Sequence, residues 1–113
     1  MYMETPQVID AFAALAHEHR LAIFRLLVEQ GPEGLPAGTI AERVGLAPSS
    51  LTFHVQQLTR ARLLTQRREG RQLFYATDFG AMNELVGYLT ENCCNASGQC
   101  SPFMAKPPPE KPK

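Results

Sequence analysis

No stretch of this chain stays apolar for the roughly 18 to 20 residues that a bilayer-spanning helix needs. Its first residues lack a basic segment followed by a hydrophobic one. Both absences point away from secretion and from a membrane partner, towards a cytoplasmic protein. Net charge is lacking too, because eleven basic residues balance eleven acidic ones. Cysteine is missing from most of the chain and then occurs three times within eight residues, as Cys93, Cys94 and Cys100. An odd count without an export signal argues against a disulfide framework. A glycine-rich phosphate loop, a Gly-x-Gly-x-x-Gly and a Cys-x-x-Cys are all absent. His17 and His19 flank a helix start with no evident nucleophile beside them. An enzyme is therefore not expected.

What is present begins with one local excess of charge. Between Arg60 and Arg71 stand five arginines (Arg60, Arg62, Arg67, Arg68 and Arg71) against a single acid, Glu69. A basic segment on a neutral chain suits the docking of an anionic polymer. With 113 residues the chain has room for one domain, and a monomer of this size buries only about two thirds of its unfolded surface, so a partner would help it.

The hydrophobic spacing predicts a mainly helical fold. Val8, Phe12 and Leu15 form a helical stripe over 7–15, and Ile23, Phe24, Leu27 and Val28 a broader one over 18–30 that ends at Gly31. The segment GPEGLP reads as a loop. A short helix fits GTIAERV, with Ile40, Ala41 and Val44 inward and Gly45 as its stop. Pro48 suits the first position of the next helix, in which Leu51, Val55 and Leu58 recur on one face. Two helices joined by the tight turn VGLAPS read as helix-turn-helix. Leu64–Arg68 and Arg71–Ala76 then fit two strands flanking Glu69-Gly70, a basic hairpin or wing. Asp78 is placed to cap a last helix over 79–92. The expected fold is thus mainly α with a β-hairpin wing, a winged helix-turn-helix. Residues 1–92 would form the DNA-binding and dimerisation domain, 93–104 a cysteine-containing ligand segment, and 105–113 a Pro/Lys-rich disordered tail.

In such folds the second helix of the motif enters the major groove. Ser49, Ser50, Thr52 and Gln56 are the candidate base contacts, and Phe53 can meet a thymine methyl. Arg60 and Arg62 fit phosphate, and Arg67, Arg68 and Arg71 fit phosphate or the minor groove from the wing. His54 reads equally as a packed histidine or as a DNA contact. One domain covers one half-site. The stripes Val8, Phe12, Leu15 and Phe79, Met82, Leu85, Val86, Leu89 exceed what a small core needs. They are the expected homodimer interface, which would set two heads on double-stranded operator DNA. A non-inducible architectural DNA-binding protein is the competing reading.

Adjacent cysteines make a strained disulfide. The five-residue segment NASGQ can instead bring Cys100 over Cys93 and Cys94, giving three thiolates and no obvious fourth ligand. Structural zinc wants four ligands. Trivalent arsenic or antimony completes a trigonal pyramid with three sulfurs, and cadmium, lead and mercury also accept three thiolates. Thiol oxidation, or no regulatory role, are the remaining readings of the cluster. No resident cofactor is called for; As(III) or Sb(III) would act as inducer.

The stretches ALAHEHRLAIFRLL (14–27), AERVGLAPSSLTFHVQQLTRARLL (41–64) and REGRQLFY (68–75) resemble the ArsR/SmtB family of winged helix-turn-helix metalloregulators. The resemblance implies a homodimeric repressor that leaves its operator when the inducer binds, often one controlling efflux or detoxification genes. The family's Cys-Val-Cys arsenic motif is not matched, since the corresponding stretch is LPAGTIAE. The zinc ligands of the last helix are not matched either, with Gly80 following Asp78 at two residues. The triad Cys93, Cys94 and Cys100 is similar to an alternative arsenite site of some members; methylated trivalent arsenicals, which need fewer sulfurs, are a further candidate inducer.

Overall fold

The computed structural model describes residues 3–93. Among them the order is α1 (Thr5–Leu15), α2 (Glu18–Gln30), β1 (Leu35–Pro36), α3 (Ala37–Val44), α4 (Pro48–Arg60), β2 (Leu64–Glu69), β3 (Gln72–Thr77) and α5 (Phe79–Thr90). This is a mostly helical winged helix-turn-helix fold with a small antiparallel sheet. Local chemistry explains most of the boundaries. At α1, Glu4 and Gln7 cap each other's backbone reciprocally. At α2 the ring of His17 accepts a hydrogen bond from the backbone of His19. Pro48 opens α4, and Asp78 accepts from the Ala81 N–H at 3.0 Å to start α5. The last helix ends at Thr90, two residues before the expected limit.

The helical stripes converge on one core. Ile23 and Leu27 of α2, Ile40 of α3, Leu51, Val55 and Leu58 of α4, and Leu63 are fully enclosed. Val28 and Val44 lie at its margin. Helix α4 packs against α1, α2, α3 and β2, so its apolar face is held from several directions.

The sheet departs from expectation in two places. Its strand order is β1-β3-β2, so part of the expected loop GPEGLP is a strand, with Leu35 opposite Tyr75 and Pro36 opposite Phe74. Two residues are too few to show a period, and β1 exists because Gly34 lets the chain approach β3 closely. The wing is also one residue out of the expected register. Glu69 pairs with Gln72, so the connecting residues are Gly70 and Arg71 rather than Glu69 and Gly70. Gly70, at φ 65°, supplies the positive backbone angle of this turn.

Candidate nucleic-acid interface

Helix α4 divides cleanly into two faces. Leu51, His54, Val55 and Leu58 are buried. Ser49, Ser50, Thr52, Phe53 and Gln56 are all exposed, and Phe53 keeps 55% of its surface open to solvent. Thr52 donates its hydroxyl to the Pro48 carbonyl at 3.0 Å, which leaves its oxygen lone pairs and methyl for a neighbour. No side chain caps α4. The backbone N–H groups of Ser49 and Ser50, in the first turn, have no intrahelical acceptor, and the helix N-terminus carries partial positive charge. Sequence reasoning named these two serines for their side chains; their backbone donors were readable from Ala47-Pro48, which supplies no cap.

The arginines do not form one patch. Arg68 and Arg71 are exposed on the wing. Arg67 is occupied: its Nε is 2.7 Å from Glu69 Oε2, its Nη1 donates to the Glu33 carbonyl at 3.1 Å, and its guanidinium lies 4.6 Å from the Phe74 ring centroid. Adjacent strand residues face opposite ways, so Arg67 braces the wing while Arg68 lies on its other side. Arg60 lines a cavity of about 430 Å³ with Asp10, Ala14, Arg20 and Gln57, at the far end of α4 from Ser49. Arg62, at φ 70°, borders a smaller cleft with Asp78 and Glu84. Both side chains are exposed, and each lines a cleft that also holds a carboxylate.

His54 is a packed histidine, only 8% exposed. Arg20 Nη1 lies 3.2 Å from its Nδ1. Burial is the main influence holding its pKa below the ordinary value of 6.5, followed by the charges of His17, Arg20 and His19.

The expected dimer stripes are split by the fold. Val8 and Leu85 are enclosed in the chain's own core, which corrects their placement on an interface. Leu15, Phe79 and Met82 are partly buried. Phe12 and Val86 are each 40% exposed and Leu89 is 61% exposed. Ile9, which the sequence reading passed over, is 60% exposed beside Phe12. Its spacing of three from Phe12 was the available signal. Helices α1 and α5 meet through a Thr5–Tyr88 hydroxyl pair at 2.8 Å.

Of the three cysteines, Cys93 lies just past α5, partly buried, its N–H donating to the Thr90 carbonyl at 2.9 Å. Cys94 and Cys100, the segment 94–104 and the tail 105–113 lie outside the described residues. Among the described residues no three His, Cys, Asp or Glu side chains are grouped to hold a metal ion. Among them, too, no helix is long and apolar enough to cross a membrane.

A helix-turn-helix domain family matches residues 15–67, which span α2, α3, α4 and the start of the wing. The nodulation protein NolR of Rhizobium meliloti is 30% identical over 79 residues, covering 70% of this chain and 62% of NolR. The chain spans about three fifths of the length of the curated relatives it matches. The structure of reduced HlyU from Vibrio cholerae is similar at a TM-score of 0.60 and 30% identity, covering 75% of this chain and 90% of HlyU. A homodimeric winged helix-turn-helix DNA-binding domain from Mycobacterium bovis, described as a possible ArsR-family transcriptional regulator, matches at a TM-score of 0.62 and 28% identity. That match covers 78% of this chain and 82% of the other.

Proposed function

Since the chain belongs to the winged helix-turn-helix proteins related to ArsR, NolR and HlyU regulators, we propose that it is a transcriptional repressor that binds operator DNA as a homodimer. The observation that carries this reading is the exposed row Ser49, Ser50, Thr52, Phe53 and Gln56 on a helix whose opposite face is locked in the core. Gln56 offers a bidentate partner for adenine and Phe53 an apolar contact for a thymine methyl. The N–H groups of Ser49 and Ser50, with Arg68 and Arg71, take phosphate. Arg60 and Arg62 play a smaller part than their charge alone suggests. Residues 1–92 carry DNA binding and dimerisation in this reading, with 93–104 as the ligand segment, and no catalytic step belongs to this function.

The finer proposal concerns release. Trivalent arsenic or antimony, bound by Cys93, Cys94 and Cys100, would free the repressor from DNA. Three soft thiolates within eight residues support it. Cys93 lies three residues past the end of α5, which bears exposed Val86 and Leu89, so a ligand gathered there acts near the proposed dimer surface. For release, the ligand must bind the DNA-free state more tightly, and DNA must weaken ligand binding by the same factor.

The test is fluorescence anisotropy of the reduced protein on the duplex upstream of its own coding sequence, titrated with arsenite at fixed salt. Release near one arsenite per chain, lost in Cys94→Ser, is the expected result. Tight binding without release would reassign the cysteines to another soft metal or to oxidation. No binding to any duplex would sink the repressor reading itself.

A further inference from the structure

All three histidines of the chain lie together, at the joint between α2 and α4. The ring centroids of His17 and His54 are 4.7 Å apart, those of His17 and His19 5.6 Å, and those of His19 and His54 5.7 Å. Two of the rings, His17 and His54, are held by hydrogen bonds that need a neutral imidazole nitrogen. His17 Nδ1 accepts the N–H of His19 at 3.1 Å and so caps α2. Arg20 can only donate, so His54 Nδ1, 3.2 Å from it, keeps its lone pair and the ring carries its hydrogen on Nε2. The same guanidinium donates through Nε to the Ala14 carbonyl at 2.7 Å. One arginine thereby clasps the end of α1, the start of α2 and the middle of α4.

The charged surroundings are one-sided. From α2, His54 is faced by His17, His19 and Arg20. Its neighbour on α4 is the Phe53 ring at 5.4 Å. From α1 the contribution is the Ala14 carbonyl, through Arg20, with Asp10 lining the cavity on the far side of that arginine beside Arg60. Among the described residues the one ion pair is Arg67–Glu69, so no carboxylate lies within ion-pair distance of the three rings; Glu18, between His17 and His19 in the first turn of α2, is exposed to solvent. A proton on His54 would have to sit on Nδ1. It would remove the bond from Arg20 and set two cations against each other in a place with little water.

We propose that the His17–His19–His54 cluster, clasped by Arg20, is a proton-responsive joint that loosens the seating of α4 on mild acidification and so weakens DNA binding. This rests on the DNA-binding reading above. The sign follows from linkage. Above the ordinary histidine value of 6.5, His54 is neutral in both the folded and unfolded chain, and the clasp contributes in full. As pH falls below that value, the unfolded chain takes the proton first, and stability drops through the window down to the lowered folded pKa. Adding positive charge without this strain would tighten binding to a polyanion, so the two effects have opposite signs.

The experiment compares the wild type with the double variant His17→Asn, His54→Gln on the same upstream duplex at about pH 7.5 and about pH 5.5, at fixed ionic strength. Asn retains an N-cap acceptor and Gln retains an acceptor for Arg20, and neither titrates. The wild type should lose affinity severalfold on acidification, because burial and the neighbouring charges hold the folded His54 pKa below its ordinary value, while the variant stays flat or tightens. Equal responses in both proteins would overturn the joint. Absence of wild-type binding at the higher pH rejects the DNA reading instead. Thermal unfolding then decides the joint: the wild-type Tm must fall more steeply with acid than that of the variant, and parallel curves overturn it. If the variant does not fold, proton NMR titration of the wild type decides, and a His54 ring titrating at or above its ordinary value overturns the proposal.

Discussion

Gly34 and Gly70 both have positive φ, 71° and 65°, yet a side chain meets different surroundings at each. A Cβ on Gly34 would overlap the Tyr75 carbonyl oxygen on β3, whereas one on Gly70 meets open space. Gly70→Ala should therefore cost about 1 kcal/mol, the left-handed penalty alone. Gly34→Ala should cost more than about 3 kcal/mol, because β1 must leave its partner. Urea denaturation of the two variants checks the order, and equal losses would remove the close approach as the reason for β1. The wing arginines differ in the same residue-by-residue way. Arg68→Ala should reduce the slope of log affinity against log salt by about 0.9, the loss of one phosphate contact. Arg67→Ala should change it less, since that guanidinium is already engaged by Glu69, the Glu33 carbonyl and Phe74. Salt titrations in anisotropy would show whether the order is reversed. The run of five arginines was plain in the sequence, but which of them is committed to the fold depended on the Glu33 carbonyl ahead of β1 and the Phe74 ring of β3.

At the scale of elements, α4 shows how much a period of 3.6 can say. Leu51, Val55 and Leu58 were legible as the inward face, and Ser49, Ser50, Thr52, Phe53 and Gln56 as the outward one. Leu58→Ala should destabilise the fold by about 2–5 kcal/mol, as for other fully buried leucines. Phe53→Ala should leave stability within about 0.5 kcal/mol while lowering DNA affinity severalfold. Denaturation and anisotropy on both variants separate the faces, and a Phe53→Ala protein that binds as well as the wild type would take that ring out of the interface. His54 was not legible in the same way. Its position on the helix sets it near the buried face, but its partners Arg20 and His17 come from another helix, and no spacing within α4 reports them. The two-residue strand β1 was illegible for a simpler reason: it is defined by its neighbour rather than by its own pattern.

For the whole molecule, the question is what covers the apolar surface left by one chain. Ile9, Phe12, Val86 and Leu89 are exposed on α1 and α5, and α5 places only Ala81 and Leu85 in the core. A second copy of the chain is the proposed cover, in keeping with the homodimeric relative from Mycobacterium bovis. Ile9→Glu or Leu89→Glu should shift the protein from dimer to monomer in sedimentation and weaken DNA binding through the loss of a second head. Val8→Ala should instead cost stability, because that side chain is only 3% exposed within a single chain. A dimer undisturbed by either glutamate would place the interface elsewhere.

The helices, the turn between α3 and α4 and the hairpin followed from the sequence by itself, because each depends on contacts a few residues apart: side-chain periods, caps, and a glycine at a tight turn. The same local logic singled out the exposed face of α4 and the clustered cysteines. Tertiary structure decided what needs residues far apart in the chain. It enclosed Val8 and Leu85, left Ile9 outside, tied Arg67 to the Glu33 carbonyl, and gathered three histidines around Arg20. Side-chain partners and burial are properties of packing between elements, and a linear pattern can show which face turns inward but not which residues will meet there.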